Sequence, residues 1–117
     1  MLKRTRVLVV DSDLHNLSRI YLSLIHKGYK VEASEDGLEI IQRIERFKPS
    51  IMIIHEHTRN ITPEIYSFME QSRKQIILIK ANDEPKPFSS RRLQVVKMPE
   101  DISYFDRKIR EILSLVD

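Results

Sequence analysis

Short apolar runs and helix-spaced apolar stripes alternate along this chain. Arg6 to Val10 is a continuous β-branched and apolar run, the pattern of a strand buried on both faces. After Asp11-Ser12-Asp13, apolar residues at Leu14, Leu17, Ile20, Tyr21 and Leu24 recur at helical spacing. Ser12 or Asp13 can cap the first turn, and Gly28 follows the last, where a left-handed terminator is usual. Tyr29 to Ala33 predicts a second strand. Leu38, Ile41, Ile44 and Phe47 form the inner stripe of a second helix, which Pro49 closes. Ile51 to Ile54 predicts a third strand, followed by a polar stretch from His55 to Thr62. Pro63 suits the first turn of a helix carrying Ile65, Phe68 and Met69. Gln75 to Ile79 and Leu93 to Val96 predict strands four and five. A last helix from about Asp101 aligns Ile102, Phe105, Ile109, Ile112, Leu113 and Val116.

Solidly apolar strands alternating with helices predict a parallel sheet covered on both faces. The expected architecture is α/β, a flavodoxin-like doubly wound parallel five-stranded sheet of order 2-1-3-4-5, in a single domain over 1–117. Between strands four and five the chain is short and holds Pro85, Pro87, Ser89 and Ser90. A proline inside a helix costs about 3 kcal/mol. Helix four is therefore expected to be short or replaced by a loop. Right-handed crossovers bring the ends of strands one and three together, placing Asp11, Ser12, His55 and Lys80 around one crevice.

Composition narrows the chemistry. With no cysteine among 117 residues, disulfides, thiolate metal sites and thiol nucleophiles are excluded. The basic start, Met1 to Arg6, is followed by no apolar segment of signal-peptide length, and the longest apolar runs are strand-sized. The simple reading is a cytoplasmic protein that does not engage membranes. A net charge of +3 permits an acidic partner, but Lys and Arg are dispersed and Trp is absent, so nucleic acid is not the expected partner of this domain. With two glycines and no phosphate loop or Ser-His-Asp arrangement, no enzyme is expected.

Val7-Leu8-Val9-Val10-Asp11-Ser12-Asp13 resembles the opening strand and acidic cluster of the receiver domains of bacterial two-component response regulators. Gly28-Tyr29-Lys30-Val31, Ala33-Ser34-Glu35-Asp36-Gly37, Phe47-Lys48-Pro49-Ser50-Ile51-Met52-Ile53-Ile54 and Val95-Val96-Lys97-Met98-Pro99 resemble successive later segments of that family, in order. In receivers an aspartate ending strand three accepts a phosphoryl group. An acidic pair helps hold Mg²⁺, a lysine steadies the product and a hydroxyl residue bonds it. The resemblance sets His55 at the phosphoacceptor position, Ser12 in the acidic pair and Lys80 at the hydroxyl position. Gln94 takes the place of the family's swinging aromatic, and Asp11 and Lys97 are retained.

A hard Mg²⁺ prefers several oxygen ligands, so its loss is expected, with an Asp11–Lys80 or Asp11–Lys97 ion pair in its place. The resulting expectation is a pseudo-receiver that binds a protein partner, whether a sensor kinase, another regulator or a fused output domain, without phosphorylation. One competing reading makes the crevice a ligand or transition-metal sensor using His55, His57, Asp11 and Lys80, with Asp13 a further candidate metal ligand. Another retains an unorthodox phosphoryl acceptor. The plainer expectations are a hydrogen bond from His55 to Asp11, His57 in solvent and Asp13 as a helix cap. A buried His55 beside Asp11 would also be a candidate pH-sensitive contact.

Overall fold

The computed structural model describes residues 5–116, and of Leu115 and Val116 the backbone alone. The elements are β1 (Arg6–Val10), α1 (Leu14–His26), β2 (Lys30–Ser34), α2 (Ile40–Phe47), β3 (Ile51–His55), α3 (Pro63–Gln71), β4 (Gln75–Ile79), β5 (Leu93–Val96) and α4 (Tyr104–Val116). All pairings are parallel and the order is β2-β1-β3-β4-β5, as the alternation predicts.

Two apolar layers fill the faces of the sheet. On one, Val7, Val9, Ile53 and Ile77 meet Leu17, Ile20 and Leu24 of α1 and Phe105, Ile109 and Ile112 of α4. On the other, Leu8, Val10, Met52 and Leu78 meet Ile40 and Ile44 of α2 and Ile65 and Met69 of α3. The period-two alternation of the central strands sends successive residues to opposite layers. This is why both registers of β1 and β3 are apolar.

Local signals act as expected at several ends. Asp13 caps α1 by accepting from the His15 and Asn16 N–H groups, and Gly28 takes φ 95° after the helix. Thr62 caps α3, with Pro63 in its first turn.

Two expected core positions are corrected. Leu38 is 66% exposed, because Glu39 sits at φ 63° and α2 starts only at Ile40, leaving Leu38 in the preceding turn. Leu14 is 58% exposed. It opens α1, and the buried stripe begins one turn later at Leu17. Val116 lies outside the described side chains. Residues 80–92 form a loop in place of a helix between β4 and β5.

Candidate functional site

The sheet order places the carboxyl ends of β1 and β3 side by side, with Val10 paired to Ile54 and Asp11 and His55 next in line. Asp11 is 3% exposed. Its Oδ1 accepts the Asp13 N–H at 2.9 Å, while its Oδ2 is buried without a partner among the described residues. Burial drives the Asp11 pKa upward and outweighs the Asp13 hydrogen bond and the nearby His55, which pull it down.

His55 does not bond to Asp11, which corrects the expected contact. Its Nδ1 accepts the His57 N–H at 3.1 Å, fixing the ring against its own loop. The backbone turns immediately after β3, so the nearest donor is local. The two imidazole rings lie 5.6 Å apart and tilted, with His57 exposed. Asp13 is committed to the α1 cap. Among the described residues, no three or more His, Asp or Glu side chains converge in a way that could hold a metal ion.

Ser12 has become a tie between loops. Its hydroxyl donates to the Glu35 carbonyl at 2.7 Å and accepts the Arg59 N–H at 2.8 Å. Alongside it, the Asp36 carboxylate receives both bonds from the Asn60 amide, and the Gly37 N–H reaches the Arg59 carbonyl at 2.7 Å. The loops after β1, β2 and β3 are thereby clasped together above the sheet. Thr58, also buried, donates to the His55 carbonyl at 2.7 Å. The sequence offers a weak sign of this clasp: Ser, Asp and Asn side chains readily bond loop backbone.

Lys80 is buried, but its partner is Glu56 rather than Asp11, at 2.9 Å. The second Glu56 oxygen accepts the Ala81 N–H. Burial raises the Glu56 pKa, but the Lys80 and Ala81 bonds prevail and hold it below the ordinary carboxylate value. Lys97 is exposed at the end of β5 and makes no ion pair with Asp11 among the described residues. Gln94 pairs with Ile77 in the sheet and is half-buried. Asp11 and His55 thus stand at neighbouring strand ends, Ser12 ties the adjoining loops, Lys80 is turned to Glu56 and Lys97 to solvent.

The chain superposes on a CheY-like response regulator receiver domain from Methanospirillum hungatei JF-1 with a TM-score of 0.82, covering 95% of this chain and 94% of that one at 20% identity. The fold is that of a CheY-like receiver. The receiver domain of an HD-domain-containing protein from Pseudomonas fluorescens Pf-5 matches this receiver fold with a TM-score of 0.80 at 18% identity, over 95% of each chain. The response regulator TrrA from Thermotoga maritima, solved in complex with Mg²⁺ and BeF, matches with a TM-score of 0.77 at 20% identity, over 92% of this chain and 97% of that one. No family model and no curated protein matches the chain. Among the described residues of this receiver fold, no helix is long and apolar enough to cross a membrane.

Proposed function

We propose that this chain is a signalling domain on the receiver fold that acts by binding a protein partner, with no catalysis of its own and no Mg²⁺-dependent aspartate phosphorylation. The observation that carries the reading is His55, which ends β3, the position to which the sequence resemblance assigns the acceptor aspartate, and whose Nδ1 is engaged by the His57 N–H. An imidazole held this way offers no carboxylate to form an acyl phosphate.

The residues around it do not fit Mg²⁺. Asp11 Oδ2, without a partner among the described residues, is one available oxygen, but the Ser12 hydroxyl is bonded between loops and Asp13 Oδ1 is taken up by the α1 cap. Mg²⁺ is usually held through one or two carboxylates with water filling the rest of its shell, and here His55 and Ser12 stand where further carboxylates would be needed beside Asp11. At the family's hydroxyl position, Lys80 is engaged with Glu56. A sensor kinase, another regulator or a fused output domain is the kind of protein such a domain serves.

The test is an amide NMR titration of the chain with Mg²⁺ and beryllofluoride, which mimics an aspartyl phosphate. Unmoved signals at Asp11, His55 and Lys97 support a phosphorylation-independent module. Saturable shifts at those residues that require both additives would overturn it.

A further inference from the structure

Lys and Arg are scattered along the sequence, but the topology gathers many of them at one pole of the molecule. Because all five strands are parallel, their amino ends share one edge, and Lys30, Arg6, Ser50, Gln75 and Arg92 line up there in sheet order. Neighbouring strands lie about 4.8 Å apart, so this row runs about 19 Å. Turns at the same edge add Lys27 after α1, then Arg46 and Lys48 at the end of α2. Arg73 and Lys74 follow α3, and Arg91 precedes the row's Arg92. All of these cations are exposed except Lys74, which is half-buried.

Among the described residues, none of these nine cations enters an ion pair or donates a side-chain hydrogen bond. The ion pairs draw on cations elsewhere, such as Arg43 and Lys80. Acids such as Asp13, Asp36, Glu56 and Asp83 stand beyond the carboxyl ends of the strands, at the opposite pole. The plain account of cations at helix ends is the helix dipole. Four helices end at this pole, each with about half a negative charge, and they offset about two of the cations. Glu45 and Glu70, in the last turns of α2 and α3, offset two more. A surplus of about five positive charges remains.

We propose that this pole binds the phosphate backbone of duplex nucleic acid without reading its sequence. A duplex carries one negative charge per about 1.7 Å of axis, so the row of about 19 Å faces about 11 phosphates. Exposed Ser50 and Gln71 stand among the cations and suit phosphate oxygens. A protein interface is normally centred on apolar and aromatic side chains, and here Ile25 is the exposed large apolar residue nearest the cations. The aromatic residues of this edge, Tyr29 and Phe47, are packed into the two core layers. They leave no platform for unpaired bases and no apolar face to sit in a bilayer. This surface lies at the other end of β3 from His55 and is independent of the protein-partner reading.

Fluorescence anisotropy of a labelled DNA duplex, titrated with the full chain at several salt concentrations, tests this. Two duplexes of unrelated sequence should bind equally, with log K falling against log salt at a slope of about −4. Lys30→Gln with Arg92→Gln is expected to weaken binding about tenfold and to flatten that slope by about 2. Lys27→Gln with Arg91→Gln should do the same, and decides the matter if the first pair fails to fold. Lys86→Gln with Arg107→Gln is an equal charge change away from the pole and should alter binding less than about twofold. No binding at low salt, or equal losses in all three variants, would overturn the proposal. So would equally tight binding to phosphatidylserine vesicles or to polyglutamate. None of these outcomes bears on the Mg²⁺ and beryllofluoride titration, so the two readings stand or fall separately.

Discussion

Glu56 and Lys80 stand one step beyond His55 and Ile79, the last paired residues of β3 and β4, and meet at 2.9 Å with only 13% and 8% of their side chains exposed. Removing one partner of such a pair strands the other charge out of water, which costs more than the pair itself contributes. Lys80→Ala is expected to lower the unfolding free energy by about 3 kcal/mol. Replacing both, as Glu56→Leu with Lys80→Met, should cost clearly less. Urea denaturation of the two variants checks this, and equal losses would refute it.

The same pair sets a low-pH limit. The Glu56 pKa is held below its ordinary value of 4.5, so the folded state favours the ionised form. That contribution is fully present above 4.5 and is lost as pH falls through the lower folded value. Glu56→Gln should therefore flatten the acid limb of stability against pH, as followed by circular dichroism.

Asp11 works in the opposite sense. Burial raises its pKa above 3.8 despite the nearby His55, so the folded chain favours the protonated form, and its Oδ2 is buried without a hydrogen-bond partner among the described residues. No penalty applies below 3.8. Stability falls as pH rises through the folded value, because the ionised form then has to be buried. Asp11→Asn keeps an acceptor for the Asp13 N–H and removes that charge. It is expected to gain about 1 kcal/mol at neutral pH. A loss of stability in thermal unfolding at pH 7, or a gain independent of pH, would contradict this account.

Tyr29, at the entry to β2, donates its hydroxyl to Asp106 Oδ1 of α4 at 2.8 Å, and Arg110 bonds the same carboxylate. Burial, then the Asp106 contact, push the phenol well above its ordinary value. Tyr29→Phe removes one donor and leaves Arg110 in place, so a loss of about 1 kcal/mol is expected in chemical denaturation.

Gly37 sits where the loop after β2 meets the loop after β3. A Cβ there would stand 2.3 Å from the Asn60 carbonyl oxygen and 2.9 Å from the Ile61 side chain. Backbone cannot yield as a flexible side chain does, so Gly37→Ala is expected to cost about 2 kcal/mol. Its largest amide shifts should fall at Asp36, Arg59 and Asn60. Shifts spread evenly over the protein would argue against this localised clash.

The sequence by itself determined the architecture. Strand-length apolar runs such as Val7 to Val10 and Ile51 to Ile54, separated by helical stripes, admit few arrangements other than a parallel sheet with two covered faces. Pro85 and Pro87 announced the loss of the helix between β4 and β5, because a fixed φ and a missing donor act locally. The cap at Asp13 and the terminator at Gly28 were legible for the same reason. The positions of Asp11, Ser12 and His55 at neighbouring strand ends followed from topology alone.

Side-chain partnership was a different matter. Asp11, Glu56, Lys80 and Lys97 admit several pairings, and only the register of β3 against β4 set Lys80 beside Glu56 and left Asp11 with an orphaned oxygen. The Ser12, Asp36, Arg59 and Asn60 clasp likewise draws on three loops that are distant in the chain. Backbone preferences are local and can be read residue by residue. Hydrogen bonds and ion pairs depend on placing distant segments relative to one another to within about an ångström, and tertiary packing alone fixes that.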